Sequence, residues 1–421
     1  MRVPRSSRRA FLRAALSGAA VAVAPSSPSA QTRSVKIGIV HPVTGLLTEP
    51  GQACRLGAKM ASEAINAAGG IKGLGGVRFE LLFGDSQGKA DVARAEAERV
   101  IGQGAQMLLG AFDSAGTAAM VPVVQQRRVP FLVDLATADS ITANVAKAVR
   151  DGAQKVQYVY RNFPTASSFG RKAVQYFSDI FKEAGVSPKR VVLMHCNDPF
   201  GQGQARGFVA AHKAANPAWE IVETIPWPEP PVDLSTEVSR AKAARPDVIA
   251  PITRPGSAQI LLTEIRRQRV ELMGVVSPGS PGLYEAAQVA ALKDDLEHVL
   301  TSVPWPNFKN PKTAAVAEEY RKRTGGKTFD TNAGYAYDAV LVAADVLERA
   351  RSTDGEAIVE ALRKTHLIGG LMQYGGLIAF NEGGDNPNAI PTLIQILGGK
   401  PVAVWPREAA LQKLVFPRPR G

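Results

Sequence analysis

The sequence predicts an α/β protein of two doubly wound, parallel-sheet lobes, and three observations lead there. From Ser34 onward, apolar runs of four to six residues alternate with helical patterns of ten or more. The runs are continuous in apolar character, as strands covered on both faces are. The alternation breaks at Asn162 and Pro164 and then starts again, so the chain lays down one set of βαβ units and then a second.

In order, Val35 to Val40 reads as the first strand, and Leu56, Met60, Ala64 and Ile65 mark the buried stripe of a helix from about Gln52 to Ala67. Arg78 to Phe83 leads through Asp85 into a helix over Ala90 to Gln103, Gln106 to Leu109 leads into one over Thr117 to Arg127, and Val129 to Val133 follows as a strand. The second set opens with a helix from Ser168 to Ala184, a strand from Arg190 to His195 and a helix from Gln204 to Ala215. Strands are predicted at Ile221 to Ile225, Val248 to Ile252 and Gly274 to Ser277, then helices at Thr313 to Arg323 and Ala333 to Ala350. The tail from Gly376 is strand-like with Gly, Asn and Pro turns, and the Pro226 to Pro231 and Trp305 to Pro311 segments read as loops or crossings.

With 45% hydrophobic residues among 421, the composition is that of a folded chain long enough for two or three cores. The net charge of +12 raises the question of nucleic acid, but residues up to Ala30 carry five arginines and no acid, and without them the charge is +7. The remaining basic clusters stand beside acids, as Arg266 and Arg267 do beside Glu264, and read as solvated helix faces. Residues 1–30 have the anatomy of an export signal: Ser7-Arg8-Arg9-Ala10-Phe11-Leu12 precedes the apolar run Ala14 to Ala24 and a Pro/Ser/Ala segment ending near Ala30. The paired arginines resemble a twin-arginine signal, which places the mature chain in the periplasm.

The signatures of catalysis fail one by one. Gly69 to Gly76 follows a helix and precedes a strand, the reverse of a dinucleotide fingerprint, and reads as a helix cap and turn. Gly84 to Lys89 is one residue short of a P-loop, and Ala90 stands where a magnesium-holding hydroxyl belongs. Ser114 follows a strand as a nucleophile elbow would, yet Phe112 replaces the first glycine. His195 and Cys196 are neighbours on a strand and point to opposite faces. The five histidines have no metal spacing and the two cysteines offer no disulfide framework, so neither a metal nor a cofactor is expected. An exported hydrolase using Ser114 or Cys196 is the enzyme alternative.

Read together, Val35-Lys36-Ile37-Gly38-Ile39, Pro42-Val43-Thr44-Gly45 and Ala64-Ile65-Asn66-Ala67-Ala68-Gly69-Gly70-Ile71 resemble the opening of the leucine/isoleucine/valine-type solute-binding proteins of ABC importers. The likeness continues through Asp85-Ser86-Gln87, Ser114-Ala115-Gly116-Thr117, Asn197-Asp198-Pro199-Phe200-Gly201 and Tyr335-Ala336-Tyr337-Asp338-Ala339 to Phe380-Asn381-Glu382-Gly383-Gly384-Asp385. It covers nearly all of the mature chain.

The resemblance implies a type I periplasmic binding protein fold, with two lobes joined by three chain crossings and a ligand trapped between them by hinge closure. By position, the crossings fall near Asn162 to Pro164, Thr301 to Pro304 and His366 to Gly370, giving one lobe of residues 34–162 with 303–366 and another of 163–302 with 367–421. By the same likeness Ser114 and Thr137 are hydroxyls for a ligand carboxylate, Leu135 and Ala136 supply backbone groups, Phe112 forms an apolar wall and Phe200 a lid. Alternatively, the two hydroxyls cap the helices that follow, and Phe200 is ordinary core. Family members that bind amino acids carry an acid for the ammonium near Pro278-Gly279-Ser280, where this chain has none, while Arg254 offers a cation for an anionic group. The family's early disulfide is also missing, so Cys54 and Cys196 are expected as free thiols. The implied partners are a small amino acid or carboxylate and the permease subunits of an ABC transporter; a periplasmic sensor on the same fold is the alternative.

Overall fold

The structure, a computed structural model, describes residues 34–372 and 376–419, and the export signal expected over residues 1–30 lies outside them. Five parallel strands form the first sheet: β1 (Ser34–His41), β2 (Arg78–Asp85), β3 (Met107–Gly110), β4 (Phe131–Val133) and β5 (Val159–Arg161), in the order β2-β1-β3-β4-β5. Its crossovers are α1 (Thr48–Ala67), α2 (Ala90–Gly102), α3 (Ser114–Arg127) and α4 (Ser140–Arg150). The sheet is covered on both faces. Ala93, Val100, Met120, Val124 and Val145 pack on one side, and the α1 stripe packs on the other.

Just beyond Asn162 to Pro164 the chain enters α5 (Ala166–Glu183) of the second lobe, where β6 (Arg190–Cys196), α6 (Pro199–Ala215), β7 (Glu220–Trp227), α7 (Ser235–Ala243), β8 (Val248–Ile252), α8 (Pro255–Arg267), β9 (Gly274–Ser277), α9 (Ala286–Leu292) and β10 (Leu300–Val303) follow. Pro226 and Trp227 finish β7, so that proline-rich stretch is no crossing. α5 and α6 approach closely because Gly170 and Gly207 face each other: a Cβ on Gly170 would lie 2.3 Å from the Gly207 carbonyl group. Phe177, Phe208 and Trp219 form the aromatic centre of this core.

After β10 the chain returns through Trp305 to Asn310 into α10 (Pro311–Arg323), α11 (Thr331–Ala350) and α12 (Gly355–Arg363) of the first lobe, and α11 packs along α1. Gly57 permits that approach, since a Cβ there would meet the Ala333 carbonyl oxygen at 2.1 Å. The third crossing differs from the expected His366 to Gly370. β11 (His366–Ile368) and β12 (Leu377–Ala379) pair as an antiparallel hairpin that stays on the first lobe, where Leu371 and Ile378 are buried in the core that holds Tyr335. The hairpin stays there because its apolar side chains cover α11, and because the Asp338 carboxylate of that helix accepts the Leu371 amide at 2.8 Å. The chain leaves only between Asp385 and Pro391, then adds β13 (Thr392–Leu397) and β14 (Lys400–Trp405) antiparallel at the edge of the second sheet. That sheet has the order β14-β13-β10-β9-β8-β6-β7, with parallel pairing from β10 through β7.

Candidate functional site

A cavity lies between the lobes, and its walls come from loops beyond the carboxyl ends of the parallel strands, where doubly wound sheets take ligands. The first lobe contributes Phe112 after β3, Leu135 and Thr137 after β4, and Asn332 from the start of α11. Phe200 and Gln204 of α6, Arg254 before α8, Tyr284, and Ser302 and Val303 of β10 come from the second lobe. Phe163 and Phe169 close the cavity beside the first crossing, their rings 5.7 Å apart. The lobes are closed to a narrow space of about 40 Å³. That is room for no more than a few waters.

Of the residues expected from the sequence, the structure brings Phe112, Leu135, Thr137, Phe200 and Arg254 together around this cavity, and leaves Ser114 and Ala136 behind it. Ser114 is the first residue of α3, and its Oγ accepts the Ala138 amide at 3.3 Å. The carbonyl oxygen of Ala136 accepts Nη1 of Arg161 at 3.1 Å. Neither hydroxyl is a helix cap. Asp113 caps α3 through the Gly116 amide at 2.6 Å, and α4 starts only at Ser140. Thr137 Oγ1 is buried and has no hydrogen-bond partner among the described residues. Phe200 belongs to the second-lobe core and also lines the cavity.

Arg254 already has a partner in its own lobe. Its Nε and Nη2 donate to Asp198 Oδ2 at 3.0 and 2.8 Å, and its Cζ lies 4.5 Å from the centre of the Phe200 ring and 6.0 Å from that of Phe112. Burial works against both charges; the pair more than compensates, raising the guanidinium and holding the Asp198 carboxyl below its ordinary value. Asp198 is fixed further as the cap of α6, accepting the Gly201 amide at 2.7 Å. Nη1 of Arg254 has no hydrogen-bond partner among the described residues, so the arginine retains one donor arm.

Sequence reasoning missed Gln204, Ser302, Asn332 and Glu285. The side-chain oxygens of all four are buried without a hydrogen-bond partner among the described residues, like that of Thr137. Unsatisfied buried acceptors are rare in folded proteins, and four of these five residues line one cavity. Ser302 was the most accessible to sequence reasoning, because it stands at the carboxyl end of a buried strand. Cys54 and Cys196 are free and buried, in different lobes. The Cys196 thiol, raised by burial, points to Asp198 at 3.5 Å, while His195 Nδ1 lies 3.0 Å from the Cys196 carbonyl oxygen, so the two side chains form no nucleophile pair. No group of acids, histidines and cysteines suited to a metal occurs among the described residues, and no helix there is long and apolar enough to cross a membrane.

Known proteins agree with this architecture. The chain is 24% identical over 411 residues to the Leu/Ile/Val-binding protein homolog 8 of Brucella abortus, covering 95% of this chain and 98% of that one. Its fold matches the branched-chain amino acid transporter substrate binding protein LivJ of Streptococcus pneumoniae, solved with isoleucine, at a TM-score of 0.74 and 22% identity over 91% of this chain and 100% of that one. A solute binding protein of an ABC transporter from R. palustris, solved with benzoate, matches at a TM-score of 0.72 and 19% identity over 88% and 95% of the two chains. A profile of periplasmic binding proteins matches residues 34–390, which bears out the resemblance drawn from the motifs: the chain belongs to the periplasmic binding protein family.

Proposed function

We propose that this protein is the exported solute-binding component of an ABC importer, that it captures a small carboxylate with an apolar or aromatic body, and that it presents the closed form to a membrane permease. The observation that carries the ligand class is the pairing of an aromatic-walled interlobe cavity with unsatisfied polar atoms on its lining. Phe112, Phe163, Phe169, Phe200 and Tyr284 suit a flat or branched apolar group. Thr137 Oγ1 and the spare Nη1 of Arg254 are donors for a carboxylate. Relatives of the same fold hold isoleucine in one case and benzoate in another, so this architecture accepts acids with and without an amino group. The twin-arginine-like leader supports delivery to the periplasm.

The test is a thermal-shift screen of the mature protein against isoleucine, its keto-acid and benzoate, followed by calorimetry on whatever stabilises it, because a ligand bound only by the folded state raises the melting temperature. Comparable shifts with the keto-acid or benzoate support a carboxylate site indifferent to the amino group. Stabilisation confined to α-amino acids refutes that specificity, and loss of uptake of the same solute on deleting the gene separates transport from sensing.

A further inference from the structure

Glu285 is the residue that the carboxylate reading does not use. It stands between Tyr284 and α9, is 1% exposed, and both of its carboxyl oxygens lack a hydrogen-bond partner among the described residues. The charged groups around it are Asp330 and Glu49 of the first lobe and Arg254 of its own. Each of these is committed elsewhere. Asp330 caps α11, accepting the Asn332 and Ala333 amides at 3.0 and 3.1 Å. Glu49 reaches across the seam to the Ala287 amide at 3.3 Å and pairs with Lys327 at 3.6 Å. Arg254 holds Asp198 through Nε and Nη2, and its charge is the one nearby that favours an ionised Glu285.

The remaining polar neighbour is Asn332, whose Nδ2 donates to Asp330 Oδ2 at 3.2 Å and whose side chain favours the charged form of Glu285. An ionised Glu285 would thus be buried beside two acids, with only the Arg254 charge and the Asn332 side chain acting in its favour. That setting disfavours the charged form of the carboxyl. Burial, then the charges of Asp330 and Glu49, push the Glu285 carboxyl well above its ordinary value, and Asp330, half-buried, is pushed up to about 6. The acids and the amide that surround Glu285 on the far side belong to the first lobe, so its isolation from water is a property of the closed form.

We propose that closure of the lobes takes up a proton at Glu285, so that solute binding is proton-linked. The proposal rests on the hinge-closing reading above but not on the identity of the solute. The sign follows from linkage: the site is fully protonated below the open-form pKa, and closure loses favour as pH rises from there through the closed-form pKa.

Calorimetry of the full chain with benzoate and with isoleucine, from pH 5.5 to 8 and in phosphate and Tris, measures this directly. The expected result is uptake of about one proton per molecule bound, and a Kd that rises by up to about tenfold per pH unit, the slope set by one linked proton. Glu285→Gln should flatten both, with a melting temperature no lower than the parent's, since an amide needs no proton to be buried. Small-angle scattering of the ligand-free protein gives an arm that needs no solute: its radius of gyration should grow from pH 5.5 to 8 in the parent and stay constant in Glu285→Gln. A pH-independent Kd without proton uptake overturns the proposal. So does isoleucine binding that exchanges no proton and is lost in Glu285→Gln, which would make Glu285 the partner of the ligand's ammonium. If neither acid binds, the carboxylate reading fails and scattering alone decides the proton linkage, with an invariant radius overturning it.

Discussion

Replacing Arg161 by methionine should cost about 3–5 kcal/mol of folding stability and weaken ligand binding as well. Arg161 is fully buried at the first crossing. Its Nε donates to Asp385 Oδ1 at 2.9 Å, its Nη1 to the carbonyl oxygens of Ala136 and Ala138 at 3.1 and 3.0 Å, and its Nη2 to Thr142 Oγ1. Burial opposes the charge and lowers the guanidinium from its ordinary value, so the acceptors are what keep it there. The same guanidinium binds the first crossing to the third, because Asp385 begins the return to the second lobe, and the Asn386 amide accompanies it by donating to the Arg161 carbonyl oxygen at 2.9 Å. Removing one partner of a buried ion pair costs roughly 3–5 kcal/mol. Asp385 is 21% exposed in its side chain and recovers some hydration, which offsets part of that cost, while the two orphaned carbonyls add about 1 kcal/mol each. Methionine fills most of the vacated volume, so the loss is electrostatic. Urea unfolding reads the loss as a shift in midpoint at constant slope. Adding Asp385→Asn to Arg161→Met should recover about 1–2 kcal/mol, because no unpaired charge remains. A single variant within 1 kcal/mol of the parent would refute the reasoning, and so would a double variant weaker than the single by the full Asp385→Asn cost.

Thr137→Val should leave folding stability unchanged or slightly raised, because Oγ1 is buried without a partner, yet weaken ligand binding by about 1–3 kcal/mol; calorimetry beside a melting curve separates the two. Gly170→Val should force α5 from α6, since its Cβ would meet the Gly207 carbonyl group at 2.3 Å, at a cost of about 1–3 kcal/mol or more in urea unfolding. Asp338 is buried and pushed up to about 7, above its unfolded value of roughly 3.9, so the folded state holds the extra proton and stability should fall as pH rises from about 4 to about 7. Unfolding midpoints across that window should flatten in Asp338→Asn.

The lobes were legible because their strands are buried on both faces: runs such as Val248 to Ile252 carry no polar residue and read as strands without reference to anything distant. The third crossing was not. His366 to Ile368 and Leu377 to Ala379 have the pattern of strands, but nothing local says which lobe they join; contacts with α11, a helix that precedes them in the chain, decide it. Short helices such as α7 and α12 were missed because nine residues give a periodic pattern little more than two turns to show itself. In the site, aromatic residues next to strand ends could be foreseen, whereas the engagement of Arg254 by Asp198 joins residues 56 positions apart and depends on how α6 and α8 sit on the second sheet.

The unsatisfied oxygens are the least legible part, since satisfaction belongs to the whole fold and to no segment of it. Leu283-Tyr284-Glu285-Ala286-Ala287 reads in isolation as an acid before a helix, a favourable and ordinary place for one. Only the first lobe, by burying it opposite Asp330 and Glu49, turns that acid into a cost. The same holds around the cavity, where Thr137, Gln204, Ser302 and Asn332 each leave an oxygen unpaired when the lobes meet. In a dry cleft each unmade hydrogen bond costs about 1–3 kcal/mol, so these groups oppose closure when neither a solute nor waters fill it. A solute that supplies partners removes that opposition and so favours the closed form by its differential contacts, as a population shift requires. On the function proposed above, the residues that recognise the ligand are also the ones that oppose closure without it. Substitutions that satisfy or remove those oxygens should close the free protein while weakening its grip on the solute.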